Sequence, residues 1–260
     1  MAAEANDQLV RERLAASGLV AGVEYYETLS STQDRALQLA RNPGIVALPL
    51  LIVAEEQTAG RGRGTNRWWT ARGSLAFSLL FDPADWSLSR DALPERSLAV
   101  GIAIVETIQP LISSHRAGLH WPNDVFASRQ KLAGVLIDVL PGGRHVVGVG
   151  LNVNNTLAGA PDDVRARATS LCELAGHAFD RTTLLIDLLA SLEAALRAAG
   201  ADANAFGQRF QQQCLQLGEE LTLEVGGQRT MGRCAGIATD GALLLETPSG
   251  LRKFYSGVLR

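Results

Sequence analysis

Apolar residues recur along the chain at two periods. They fall at Leu98, Ile102, Val105 and Ile108, and again at Leu184, Leu185, Leu188, Leu189, Leu192 and Leu196. Steps of three and four predict helices with one apolar face. Further helices are expected over Leu9–Ala16 and Ala203–Leu217. LSSTQDRALQLAR (Leu29 to Arg41) predicts a helix capped by Ser30, Ser31 or Thr32 and stopped by Asn42-Pro43-Gly44. Five stretches read as strands: VEYYE (Val23 to Glu27), LPLLIVAE (Leu48 to Glu55), SLAFSLLF (Ser74 to Phe81), KLAGVLIDVL (Lys131 to Leu140) and HVVGVGLNVNN (His145 to Asn155). The second is apolar on both faces, as a buried strand is. Pro141-Gly142-Gly143-Arg144 reads as the turn joining the last two. After Gly218 the runs become short and alternate, broken by Gly226-Gly227, Asp240-Gly241 and Ser249-Gly250. That predicts a small, barrel-like β module. Helices and strands do not alternate strictly, so a mixed α+β sheet is expected. The predicted domains are residues 1–217 and 218–260.

Composition narrows the class. The chain has 260 residues, 47% of them hydrophobic and 20% charged, which is ordinary for a globular protein. A formal net charge of -3 gives no global reason to bind nucleic acid or an anionic membrane. Cys172, Cys214 and Cys234 stand far apart with no C-x-x-C, which argues against a disulfide scaffold or zinc ribbon. MAAEANDQ lacks the order of a signal peptide. GIVALPLLIVA (Gly44 to Ala54) is too short for a membrane span. A cytoplasmic protein is expected. Lys131 and Lys253 are the only lysines among 24 basic residues, so a lysine inside a motif calls for a specific reason.

Three constellations carry candidate chemistry. AEEQTAGRGRGTNRWW (Ala54 to Trp69) puts Arg61 and Arg63 between Gly60, Gly62 and Gly64, then adds Trp68 and Trp69. Glycines let the backbone approach a ligand. Arginine forks suit carboxylate and phosphate oxygens. The spacing is neither a P-loop nor a dinucleotide fingerprint. Taken alone, a solvated surface hairpin explains the loop equally well. HWPND (His120 to Asp124) and KLAG (Lys131 to Gly134) form the second constellation. There Asp124 is a candidate Mg²⁺ ligand, since Mg²⁺ takes few carboxylates and completes its shell with phosphates. The bland alternatives are an Asn123-Asp124 turn and a strand-end Lys131 reaching for water. GVGLNVNN (Gly148 to Asn155) offers small residues and the Asn152 amide, or simply a weak strand.

Together these motifs resemble the biotin protein ligase family, also called biotin–[carboxylase] ligase or holocarboxylase synthetase. The matching pieces are SSTQD, the Gly/Arg loop, WPND, KLAG, GVGLNVN and the terminal β module, in the family's order. The resemblance runs from about Tyr25 to the end, and the set is far more specific than any one piece. It implies a central mixed sheet flanked by helices and a small SH3-like barrel. It also implies two reactions. Biotin and MgATP give biotinyl-5′-AMP and pyrophosphate. A lysine of an apo biotin carboxyl carrier protein, from acetyl-CoA carboxylase or a related carboxylase, then takes the biotinyl group and releases AMP.

On that resemblance Lys131, Arg63 and Arg61 are the catalytic cations. Ser31, Thr32, Gln33, Gln57, Gly60, Arg61, Gly62, Arg63, Lys131 and Gly134 bind biotin. Arg63, Trp68, Asn123 and Asn152 bind ATP, and Asp124 holds Mg²⁺. Gln33 stands where the family often has Asn, and His120 where many members have Lys. Many bacterial members also have a further Arg-Gly-Arg in the loop. Too few residues precede Tyr25 for the winged helix-turn-helix of some members, so no operator binding is expected; a homodimer is possible. The glycine-rich flap should be loose when empty and ordered over the acyl-adenylate. Two rivals stay open: a lipoate or octanoate ligase or transferase, and a non-catalytic biotin-binding sensor.

Overall fold

The structure, a computed structural model, describes residues 2–41, 44, 47–89 and 95–260. Its centre is a seven-stranded sheet of order β1-β2-β3-β7-β6-β5-β4. The strands are β1 (Gly22–Leu29), β2 (Leu50–Gln57), β3 (Leu75–Phe81), β4 (Ala117–His120), β5 (Asp124–Ala127), β6 (Gln130–Val139) and β7 (His145–Leu151). β1 and β2 run parallel and every other pair antiparallel, so the sheet is mixed as the patterning implied. The helices are α1 (Ala2–Ala16), α2 (Thr32–Ala40), α3 (Glu95–Ile108), α4 (Asp162–Arg165), α5 (Leu171–Ala175), α6 (Arg181–Ala201) and α7 (Ala203–Gln213). Short 3₁₀ turns occupy Pro83–Trp86 and Gln109–Ile112.

Alternation along the strands sorts side chains onto two faces. One face carries Phe77, Leu79, Val125, Val135, Val147 and Val149 into a single core with α3 and α6. At about 25 cal/mol per Å² of apolar surface removed from water, that core supplies most of the folding drive. The other face is split. Near α2, Ala36 and Ala40 pack on Leu50, Ile52, Leu80 and Val146. Further along the same strands the side chains become small, and there the sheet is left hollow.

The β6 strand carries a bulge that decides what lines this hollow. Val125 pairs with Ala133, but the next residue, Phe126, pairs with Lys131, so Leu132 is extra. A bulge re-aims the side chains beyond it. Strict alternation would put Lys131 with Ala133 and Val135 on the core face. The inserted residue returns it to the face of Gly134, Leu136 and Asp138.

The C-terminal segment forms a separate antiparallel sheet of order β11-β10-β9-β8-β12. Its strands are β8 (Glu220–Val225), β9 (Gln228–Ile237), β10 (Leu243–Thr247), β11 (Gly250–Phe254) and β12 (Val258–Leu259). By strand pairing it is open rather than closed, with β11 and the two-residue β12 as edges. Its inner residues Leu223, Cys234, Ile237, Leu243 and Leu245 join the main core. Trp121 ties the two sheets. It is buried, its Nε1 donates to Gly241 O at 3.0 Å, and its backbone N donates to Gln216 Oε1 at 2.8 Å.

Several boundaries differ from expectation. The first helix begins at Ala2, not Leu9. The last ends at Gln213, because Cys214 turns extended and bridges to Leu119. Ser31 is the cap of α2, its Oγ accepting from Asp34 N at 3.3 Å. The expected stop at Asn42-Pro43 and the Pro94 preceding α3 lie outside the described residues. The β4–β5 hairpin around WPND is not among the expected strands, since a proline and four-residue strands give little periodicity. Among the described residues no helix is long and apolar enough to cross a membrane.

Candidate active site

The hollow face is built from residues that leave room. Across β3, β7 and β6 the register aligns Ser78 with Gly148 and Leu136, and Ala76 with Gly150 and Gly134. A Cβ on Gly148 would run into the Gln33 amide oxygen. A Cβ on Gly150 would stand within 2.7 Å of Trp68 Cδ2, and one on Gly134 3.1 Å from Trp68 Cζ3. The glycines of GVG and KLAG therefore hold open a cradle in which the flap tryptophan lies. Lys131 Nζ sits 5.5 Å from the centre of that indole.

A polar floor closes one end of the cavity. The N-terminus of α2 presents Ser31, Thr32 and Gln33, all buried. Gln57 Oε1 accepts from Thr32 N at 2.9 Å and from Thr32 Oγ1 at 3.2 Å, and Gln57 Nε2 donates to Thr70 Oγ1 at 3.1 Å. Ser78 Oγ lies 2.9 Å from Thr32 Oγ1 and 3.0 Å from Gln33 Oε1. These groups are neutral, buried or half-buried, and linked by hydrogen bonds. Such a surface suits a compact polar ring that both donates and accepts, since an unpaired buried polar atom would cost about 1–3 kcal/mol.

The flap covers the site as a short hairpin. Arg61 bridges to Arg67, Gly62 N donates to Asn66 O at 2.9 Å, and Trp68 N donates to Gly60 O at 3.0 Å. Three contacts hold it. Arg61 Nη1 meets Asp34 Oδ1 at 3.0 Å and Asp138 Oδ2 at 3.5 Å. Arg63 Nη2 donates to Gly257 O at 2.8 Å, reaching the C-terminal sheet. Trp68 fills the glycine cradle, and its buried Nε1 has no partner among the described residues. Arg63 and Arg67 meet no carboxylate among the described residues.

WPND supplies the opposite wall. Lys131 Nζ pairs with Asp124 Oδ2 at 2.7 Å, both side chains half-buried. Asn123 Nδ2 donates to Val135 O at 2.6 Å. Among the described residues no cluster of three metal-ligating side chains occurs. Asp124 as a lone carboxylate fits a Mg²⁺ held mostly by substrate phosphates. His120 stacks on Phe126 at 4.2 Å, and burial holds its imidazole below the usual histidine range, so it adds no charge to this wall.

The structure thus brings Arg61, Arg63 and Lys131 to one cavity, lined also by Ser31, Thr32, Gln33, Gln57, Gly62, Trp68, Asn123, Asp124 and Gly134. Gly60 anchors the flap hairpin behind that lining. Asn152 lies elsewhere: it is buried, its Nδ2 donates to Thr169 O at 3.0 Å, and its Oδ1 accepts from Asn155 at 3.1 Å. Arg67, Ser78 and Asp138 were not singled out from the sequence. Arg67 is a third cation in the same loop. Asp138 is the one carboxylate in an apolar strand, a signal that was available. The cavity is about 100 Å³ and adjoins a second of about 330 Å³, lined by Arg63, Asn123, Trp121 and Tyr255. The first is well below the roughly 300–1,000 Å³ of small-molecule sites. A larger ligand must therefore move Trp68 or open the flap.

Comparison with known proteins agrees with this geometry. Residues 25–154 match the biotin/lipoate A/B protein ligase family, and residues 217–258 match the biotin protein ligase C-terminal domain. The chain is 36% identical over 201 residues to the biotin–[acetyl-CoA-carboxylase] ligase of Mycobacterium tuberculosis, covering 76% of this chain and 73% of that protein. It is 32% identical over 229 residues to the enzyme of the same name from Paracoccus denitrificans, covering 85% and 92%. The biotin protein ligase of Aquifex aeolicus, solved in complex with biotin and ATP, superimposes with a TM-score of 0.80 at 29% identity, over 92% of this chain and 99% of that one. On its motifs, its fold and these matches, the chain belongs to the biotin/lipoate A/B protein ligase family.

Proposed function

We propose that this protein is an ATP-dependent biotin ligase. It joins biotin to AMP and then passes the biotinyl group to a lysine of a carboxylase carrier protein. One observation carries the reading: the arginine flap and Lys131 face a single cavity whose floor is neutral and polar. In the first reaction a carboxylate oxygen attacks the α-phosphorus of ATP, the bond to the β-phosphate oxygen breaks, and pyrophosphate leaves. Two anions must approach, and preorganised cations lower that barrier without reorganising at the moment of reaction. Lys131 lines the first cavity, and Arg63 on the flap lines both. In the second reaction the lysine amine attacks the acyl carbonyl, loses a proton, and AMP departs.

The roles follow from position. Ser31, Thr32, Gln33 and Gln57 bind the ureido ring. Arg61 and Gly62 cover it, while Gly134 leaves space for the chain. Arg63 and Asn123 contact phosphate oxygens, and Trp68 packs over the bound adenylate. Asp124 would hold Mg²⁺, whose charge would screen the phosphates. Asn152 supports the site from behind, through the 169–171 segment it hydrogen-bonds. The charge balance supports a role without nucleic acid, and free cysteines suit the cytoplasm. A homodimer would pair through the edge of the sheet at β1, and 1–217 and 218–260 are the functional units.

Transfer of labelled biotin to an apo carrier domain tests the reading. Lys131→Ala should lower the rate by about 10²–10³-fold, the usual loss of one preorganised donor, with biotin affinity changed much less. A wild-type protein that binds biotin but releases no biotin-dependent pyrophosphate would overturn it. One that prefers lipoate would do the same.

A further inference from the structure

Asp138 is used by nothing in the reaction just described, yet it touches both moving and fixed parts of the site. Its Oδ2 accepts from Gln33 Nε2 at 2.9 Å and meets Arg61 Nη1 at 3.5 Å. The second hydrogen of Gln33 Nε2 points to Val146 O at 3.3 Å. A carboxylate and a carbonyl only accept. With both facing Nε2, the Gln33 amide has one satisfied orientation. Its oxygen then accepts from Ser78 Oγ at 3.0 Å and lies over Gly148 on the cavity lining. Asp138 thereby decides whether the cavity floor shows an acceptor or a donor at this point.

We propose that Asp138 is a positioning residue: it sets the Gln33 amide so that an acceptor faces the ligand's ring N–H, and it ties that amide to flap Arg61. That a ring N–H meets this acceptor rests on the biotin reading above; the fixed orientation of the amide and its tie to Arg61 do not. Ring recognition and flap closure share one carboxylate, so a ring that engages Gln33 also steadies the hinge side of the flap. Asp34 only holds Arg61, which it meets at 3.0 Å; among the described residues its carboxylate makes no hydrogen bond to the Gln33 amide. This difference makes it the control.

Three variants separate the roles. Asp138→Asn can offer its own N–H to a flipped Gln33, so the amide loses its fixed sense. The KM for biotin should rise about 10–100-fold, the range for one misoriented buried hydrogen bond, while the KM for ATP stays within about twofold. Asp138→Glu should recover most of the loss. Asp34→Asn should change biotin KM by less than about threefold. NMR of the Gln33 side-chain amide, assigned with Gln33→Glu, reads the couple without any ligand. Its NH₂ protons should be shifted and slow to exchange in wild type and Asp34→Asn, and ordinary in Asp138→Asn. An unchanged Gln33 signal in Asp138→Asn overturns the proposal. So does an equal rise of both KM values, which a merely structural role would give. If wild type ignores biotin while the NMR contrast holds, the ligase reading fails and the positioning of Gln33 stands.

Discussion

Replacing Gly150 with alanine puts the glycine cradle to a quantitative test. The φ of Gly150 lies outside the left-handed region, so the backbone itself accepts alanine. The obstacle is Trp68, whose Cδ2 would lie 2.7 Å from the new methyl, with Cε2 and Nε1 nearer still. Carbon atoms rest about 3.5–4.0 Å apart, so the indole must withdraw by roughly 1 Å or swing out. If it swings out, about 100 Å² of apolar contact is lost, worth about 2.5 kcal/mol at 25 cal/mol per Å². Two effects oppose this. The orphaned Nε1 regains water, about 1 kcal/mol. Alanine also restricts the unfolded chain, about 0.4–1 kcal/mol. The net loss is then about 0.5–1 kcal/mol for full release. It rises toward 1–3 kcal/mol if the ring stays and the site is overpacked. At about 2–4 °C per kcal/mol for a protein near this size, Tm should fall by roughly 1–12 °C. The decisive assay is a double-mutant cycle by thermal unfolding. In a Trp68→Ala background, Gly150→Ala should be neutral or stabilising. Gly159→Ala, with nothing within 4 Å of its new methyl, is the matched control. An equal Tm change from Gly150→Ala in both backgrounds would refute the cradle.

Other outcomes are equally definite. Biotin plus ATP should protect the Arg61–Arg67 segment from trypsin, because a bound ligand holds the flap closed; equal cutting with and without ligands counts against it. Glu24 accepts from Arg35 Nε and Nη2, both at 2.8 Å, and that bonding holds its carboxyl below the ordinary 4.5. Its folded value is the lower one, so the contribution is full above about pH 4.5 and is lost as pH falls through the folded value. The Tm gap between wild type and Glu24→Gln should therefore shrink below pH 4.5, and a gap constant from pH 3 to 6 would falsify the assignment.

Much of this site was legible in the chain because its chemistry is local. Arg61, Arg63 and Trp68 lie within eight residues, and the glycines that free the loop are among them. Three of the floor's polar side chains, Ser31 (which caps α2), Thr32 and Gln33, are likewise one short run. Four strands of the large sheet, β2, β3, β6 and β7, followed from largely apolar runs. The β4–β5 hairpin escaped, since its strands are shorter than the period that would reveal them. Asn152 was placed in the ligand site because asparagine beside a glycine-rich strand suits one, yet its amide serves Thr169 and Asn155.

What sequence alone determined is the inventory: a mixed sheet, an arginine flap, one unusual lysine and a small terminal β unit, each set by periodicity or by residue chemistry. What tertiary structure alone decided is the aim of those groups. The extra Leu132 in β6 turns Lys131 off the core face, and the register of β3, β7 and β6 stacks small residues beneath it. Strand phase depends on pairing between segments distant in the chain. A bulge shifts that phase by one residue without leaving a mark in the composition, because it exists only in the pairing of two strands.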